Sequence, residues 1–254
     1  LFRLQEPSPA HLYPGGVTLK QAQLRLLKEQ NPFTPLHMLV GDLLIQEIIN
    51  YRILPGSRLV ESTIAEQFGV SRSPVRMAVE LLAEKGFVER VDRRFYVKAF
   101  SDQEYSELSD LSFLIEPYAA GLAAEKLTPG DLETLFDLAR QLQRFYREAM
   151  RQTGPIDFCP VIEVEHQFHG LIIQASGNTV ISNIYKQYRY RILYYRSYVL
   201  QNPPYKMLDV LADDHLLICN TLKLRDPDMA SAAVKRHLSI SQQVITKSII
   251  AKSE

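Results

Sequence analysis

The sequence predicts a mainly α-helical chain in two parts: a few helices closed by a β-hairpin, then an antiparallel bundle of long helices. Three observations carry this reading. Apolar residues return every three to four positions through most of the 254 residues, the period of an amphipathic helix. Phe87 to Ala99 (FVERVDRRFYVKA) departs from it and reads as two short strands around a charged tip, Asp92-Arg93-Arg94. Beyond Phe100 the breaks are few and short, so successive helices must pack as antiparallel neighbours.

Taken in order, residues 1–32 are a leader with a short helix. Prolines and Gly15-Gly16 loosen the start, and the absence of an initiating Met suggests an incomplete or processed terminus. Thr18 to Gln30 is amphipathic, with Thr18 placed to cap it. Asn31-Pro32 and Thr34-Pro35 interrupt, helical spacing resumes over 36–50, and Pro55-Gly56 turns the chain. Glu61 to Phe68 is a short helix stopped by Gly69. Ser71 to Lys85 is a second, with Pro74 in its first turn and Gly86 at its end. Helix, short helix, tight turn, helix and hairpin is the order of a winged helix-turn-helix, assigned to residues 33–100. Ser101 and Glu104 then form a capping-box pattern. Helices follow near 101–126, 129–151, 157–176, 178–201, 205–224 and 227–250, making a second, all-α domain over 101–250.

Composition narrows the function. The 29 basic and 29 acidic residues cancel, which argues against a protein that coats nucleic acid indiscriminately but permits a locally basic surface. No apolar run reaches the ~18 residues of a membrane span, and the start lacks the pattern of a secretory signal. A cytoplasmic protein with no membrane partner is expected. Cys159 and Cys219 lie in apolar helical patterns and read as buried free thiols.

In a winged helix-turn-helix the second helix enters the major groove with its N-terminal residues against base edges. Here those are Ser71, Arg72, Ser73 and Arg76. Arg72 and Arg76 are one turn apart; arginine suits guanine or phosphate, and the serines suit phosphate oxygens at a helix N-terminus. Two arginines at this spacing are common on any surface helix, and the surrounding order tips the balance. Pro55-Gly56, Leu59, Ile64-Ala65-Glu66, Gly69-Val70-Ser71-Arg72-Ser73-Pro74-Val75-Arg76, Leu81-Leu82 and Gly86 resemble the DNA-binding domain of the GntR family of bacterial regulators. The resemblance implies DNA contacts at Ser71, Arg72, Ser73 and Arg76, and a wing at the tip, where Arg93 and Arg94 reach DNA. Family wings carry a glycine where this chain has Arg94, and an acidic residue where it has Met77.

The helical half holds Glu165 and His169 at i, i+4, then His215 and His237 on later helices. The first pair leaves one helix face about 6 Å apart, and three imidazoles with a carboxylate suit zinc, nickel or manganese. A lone histidine on an apolar face is more often a hydrogen-bonded core residue; four ordered positions weigh more. Residues 101–245 resemble the FCD ligand-binding domain of one GntR subfamily, whose metal-binding members carry Asp-x-x-x-His, a His after acidic residues, and a final His. Phe168-His169 and Ser176-Gly177-Asn178 match as well. Glu165 replaces the usual Asp, and Ser112 the arginine four residues before Glu116. His166 is expected outside the ligand set. Arg189 and Arg196, seven apart, are candidates for holding an acidic effector, although plain surface arginines are the commoner explanation. The tyrosines between 185 and 198 would line a polar pocket or pack at an interface.

The resemblance implies a homodimeric regulator, not an enzyme: a repressor bound to double-stranded operator DNA and controlled by a small carboxylate effector at the metal. A metal-dependent enzyme using the same four residues, and a purely structural metal, are the alternatives.

Overall fold

The computed structural model describes residues 19–99, 101–151, 159–200 and 205–253, with side chains over 19–99, 101–151, 161–195 and 210–243. The backbone divides into two compact units, 1–48 with 52–99, and 49–51 with 100–254.

The first unit holds α1 (Leu19–Gln30), α2 (Leu36–Ile49), β1 (Arg58–Leu59), α3 (Glu61–Phe68), α4 (Arg72–Glu84), β2 (Val88–Val91) and β3 (Arg94–Val97). The strands form an antiparallel sheet in the order β1-β3-β2, with Arg58 opposite Tyr96 and Val91 opposite Arg94. Val40, Ile48, Val75, Ala78, Val79, Leu82 and Val97 are fully buried and make the core. Gly69 ends α3 in the left-handed region (φ 65), its N–H returning to Ala65 and Glu66. A Cβ there would meet both an unfavourable backbone conformation and the Gln21 side chain, 3.0 Å away. Gln21 belongs to α1, which is packed onto α3: Leu24 is buried, Gln21 Nε2 donates to the Glu66 carbonyl, and Lys20 donates to the Gln67 side chain at 3.3 Å while pairing with Glu47 of α2 at 2.9 Å.

Among the described residues the second unit holds α5 (Asp102–Lys126), α6 (Pro129–Arg151), α7 (Cys159–Ala175), α8 (Thr179–Leu200), α9 (Tyr205–Lys223) and α10 (Pro227–Ser253). α10 packs on α5 and α9, α6 on α9 and α7, and α7 on α5 and α8. Their starts are chemically marked. Thr128 and Asp131 cap α6 reciprocally, and Asn178 Oδ1 accepts the N–H groups of Val180 and Ile181 at α8. At α5 only half of the expected capping box forms. The Ser101 hydroxyl accepts the Glu104 N–H at 3.2 Å, but Glu104 turns to Arg191 and to the Tyr195 hydroxyl, and that hydroxyl accepts the Ser101 N–H instead. A charge-assisted bond to arginine outcompetes the return bond to a backbone amide.

Candidate DNA-reading surface and candidate metal centre

The apolar face of α4 seats it: Val75, Ala78, Val79 and Leu82 are buried. That leaves Ser71, Arg72, Ser73 and Arg76 exposed together. Ser71 occupies the N-cap position with extended backbone, yet its side chain makes no capping bond, so hydroxyl and first-turn N–H groups stand available to an anion. Arg76 donates from Nε to Glu80 at 3.1 Å, an exposed pair within the helix. Arg72 instead lines a cleft of about 250 Å³ together with Arg58, Arg93 and Arg94, beside Glu61 and Ser62. Four guanidinium groups against one carboxylate make this a concave, anion-seeking surface.

Arg58 and Ser62 escaped the sequence reading. Arg58 reaches the wing through its register opposite Tyr96, and a two-residue strand leaves no periodicity to read. The missing wing glycine also has its explanation. The left-handed step falls on Asp92 (φ 59), a residue type that tolerates it, while Arg94 lies in the ladder opposite Val91.

In the bundle, α7 contributes Glu165 and His169, α9 His215, and α10 His237. All four are buried, and one potential ligand atom from each lies within 4.8 Å of the others. Glu165 Oε1 accepts a 2.8 Å hydrogen bond from the Tyr146 hydroxyl and lies 3.2 Å from His215 Nε2; Oε2 is 3.5 Å from His169 Nε2. His169 Nδ1 pairs with the buried Glu116 carboxylate at 2.9 Å, which leaves Nε2 facing the cluster. His237 Nδ1 is 3.7 Å from Asp214, itself bonded to Arg236.

These residues fit a cation. His215 Nε2, fully buried, faces Glu165 Oε1 at 3.2 Å without a well-aligned hydrogen bond, so it can turn its lone pair to a cation held by the same carboxylate. Burial alone would raise the Glu165 carboxyl, but the His215 and His169 imidazoles outweigh it and hold it well below the usual carboxylate range. Burial, then His215, brings His237 down to about 4 against the opposing pull of Asp214. An ionised Glu165 and a neutral His237 are ligand-ready forms.

The remaining candidates lie elsewhere. His166 is outside the cluster, its ring 5.3 Å from that of Tyr190, and burial followed by Arg189 lowers it to about 4. Arg189 lines an open cleft between α6, α7 and α8 that none of the four cluster residues borders. The Arg196 side chain lies outside the described residues. Tyr185, Tyr188, Tyr194 and Tyr195 are buried. Ser112, where an arginine was expected, is 2% exposed and its hydroxyl makes no hydrogen bond. Tyr146 and Asp214 were not singled out from sequence, since no spacing rule ties either to the ligand it touches.

Both units match known families. Residues 38–96 match the bacterial regulatory proteins of the gntR family, and residues 107–239 match the FCD domain. The HTH-type transcriptional repressor RspR of Escherichia coli is 29% identical over 218 residues, covering 84% of this chain and 91% of its own. The gluconate operon transcriptional repressor of Bacillus subtilis is 26% identical, covering 79% and 85%. Among solved structures, E. coli McbR/YncC superposes with a TM-score of 0.74 at 22% identity, covering 85% of this chain and 99% of that one, a likeness of fold. The relatives are regulators, not enzymes. No helix among the described residues is long and apolar enough to cross a membrane.

Proposed function

The chain belongs to the gntR family of bacterial transcriptional regulators that carry an FCD domain, and we propose that it is a homodimeric repressor whose operator affinity answers to a small carboxylate effector. Ser71, Arg72, Ser73 and Arg76 read or anchor DNA in the major groove, and Arg58, Arg93 and Arg94 grip phosphates beside it. Two such units bind the halves of a palindromic operator. Glu165, His169, His215 and His237 hold a divalent cation of the zinc, nickel or manganese kind. When bound, it supplies a Lewis-acid centre that attracts a carboxylate. Ser112 in place of an arginine removes one cation from the effector's surroundings and shifts its recognition to other groups.

The observation that carries this reading is the convergence of buried Glu165, His169, His215 and His237, with one potential ligand atom from each within 4.8 Å of the others. The cluster's burial also favours a second reading, a cation that only staples three helices. One experiment separates the two. Protein stripped with a chelator, then reloaded with zinc, nickel or manganese, is titrated against operator DNA at fixed salt with and without a panel of small carboxylates. Sensing predicts that one carboxylate shifts operator affinity by about tenfold only when metal is present. An equal response from the metal-free protein sinks the sensory role.

A further inference from the structure

The cleft between α6, α7 and α8 encloses about 650 Å³, within the range of small-molecule sites. Its walls divide by chemistry. Leu138 of α6 and Tyr185 of α8 supply apolar surface, and Gly170 of α7 lies on its lining with no side chain to fill the space. A Cβ added at Gly170 meets nothing within 4 Å. Lys186 and Arg189 line it one turn of α8 apart, and the imidazole of His166 lines it from α7. The lining sets one carboxylate, Glu163, which accepts the Gln167 amide at 3.0 Å, against two cations, so the wall is net positive.

The Arg189 guanidinium lies over the Tyr190 ring and donates one terminal nitrogen to its hydroxyl at 2.9 Å; that anchors it on this wall, while its Nε and the His166 Nδ1 make no hydrogen bond within the protein. Arginine is suited to take a carboxylate through paired nitrogens, and buried polar groups of this kind ordinarily have a partner. Apolar walls around a cationic end match a ligand with the same polarity.

We propose that this cleft is a second ligand site, separate from the Glu165–His169–His215–His237 cluster, for a compact organic carboxylate whose apolar body lies against Leu138 and Tyr185 and whose charge meets Arg189 and Lys186. Binding here needs no metal, so the site stands whatever becomes of the sensory role of the cluster.

The test uses the full chain and benzoate as probe, read by saturation-transfer NMR, with benzyl alcohol as its neutral counterpart and inorganic phosphate as a bare anion. Benzoate should give a transfer signal from both chelated and zinc-loaded protein, and benzyl alcohol and phosphate should fail to displace it. K186Q/R189Q should weaken the signal at least fivefold. Gly170→Leu, which builds into open space, should do the same while the melting curve stays that of the parent. The proposal is overturned if wild-type protein gives no benzoate signal, if both cleft variants keep it, if the neutral alcohol or phosphate competes equally, or if chelation abolishes it.

Discussion

The two halves of this protein place their charged chemistry in opposite environments. The winged unit carries Arg58, Arg72, Arg93 and Arg94 around an open cleft, each side chain wet and each cation waiting for an external anion. The bundle hides a carboxylate and three imidazoles at 7%, 3%, 0% and 2% exposure. Surface arginines cost the fold little, because water solvates them until DNA arrives. A buried Glu165 has to be compensated inside the protein, and Tyr146, His169 and His215 surround it for that reason. Loss of one residue should therefore be graded in the winged unit and abrupt in the bundle.

The largest effect expected is His215→Ala. It removes an imidazole from the ligand set, the one that contributes most to keeping Glu165 ionised. Metal content should fall from about one equivalent to near zero by elemental analysis of chelated and reloaded protein. Full occupancy in this variant contradicts the assigned ligand set. Tyr146→Phe is milder: the carboxylate stays but loses the 2.8 Å hydrogen bond that orients it. Removal of such an orienting partner costs about 10–100-fold in metal affinity, measurable by competition with a chelator of known strength. An unchanged affinity would show that the helix alone positions Glu165.

In the winged unit Arg76→Ala should weaken operator binding by ~1–3 kcal/mol and relax preference at one base position. Arg93→Ala should weaken all sequences alike and flatten the salt dependence by about one unit of slope. Gel-shift titrations at several salt concentrations distinguish the two. Glu80→Gln frees Arg76 from its exposed pair, and such pairs are worth only about 0.3–0.5 kcal/mol. Tightening of that order is expected, and a larger gain would mean that Glu80 itself repels DNA.

How much of this could be read from the sequence follows the same division. The recognition helix is a contiguous motif, so Ser71 to Arg76 and the hairpin beyond it stand out in one dimension. Helix ends were legible where glycine punctuates the pattern, as Gly69 does after α3, whereas the Thr128 and Asn178 caps of α6 and α8 emerge only from the structure. What stayed hidden depends on the third dimension. Arg58 joins Arg72 through strand register, and Tyr146 meets Glu165 from a neighbouring helix. Glu104 abandons its capping bond because Arg191, 87 residues later, reaches it. The four cluster residues were visible as a spaced set, but that they converge is a property of α7, α9 and α10 packing together. The wing glycine shows a subtler limit: the hairpin needs one residue of positive φ, and this chain meets that need at Asp92.

The smallest effect concerns Cys219, and it extends the comparison to a neutral group. Its thiol is fully buried, and burial pushes it up to about 12 against a weaker opposing effect of Arg140. The folded protein thus disfavours the thiolate, which is also the nucleophile. In a Cys159→Ser background, native protein should resist a thiol-specific reagent at pH 8 and react once unfolded. A sign follows for stability as well. Below the thiol's ordinary range both folded and unfolded chains keep the proton, and the stabilisation is fully present. As pH rises from about 9 toward the folded value, the unfolded chain releases its proton first, so stability falls with pH. Cys219→Ala should flatten that alkaline decline in denaturant melts without changing it below pH 8. Equal slopes with and without the thiol would show that α9 opens enough to hydrate Cys219, and the contrast between a wet surface and a dry bundle would then weaken at that helix.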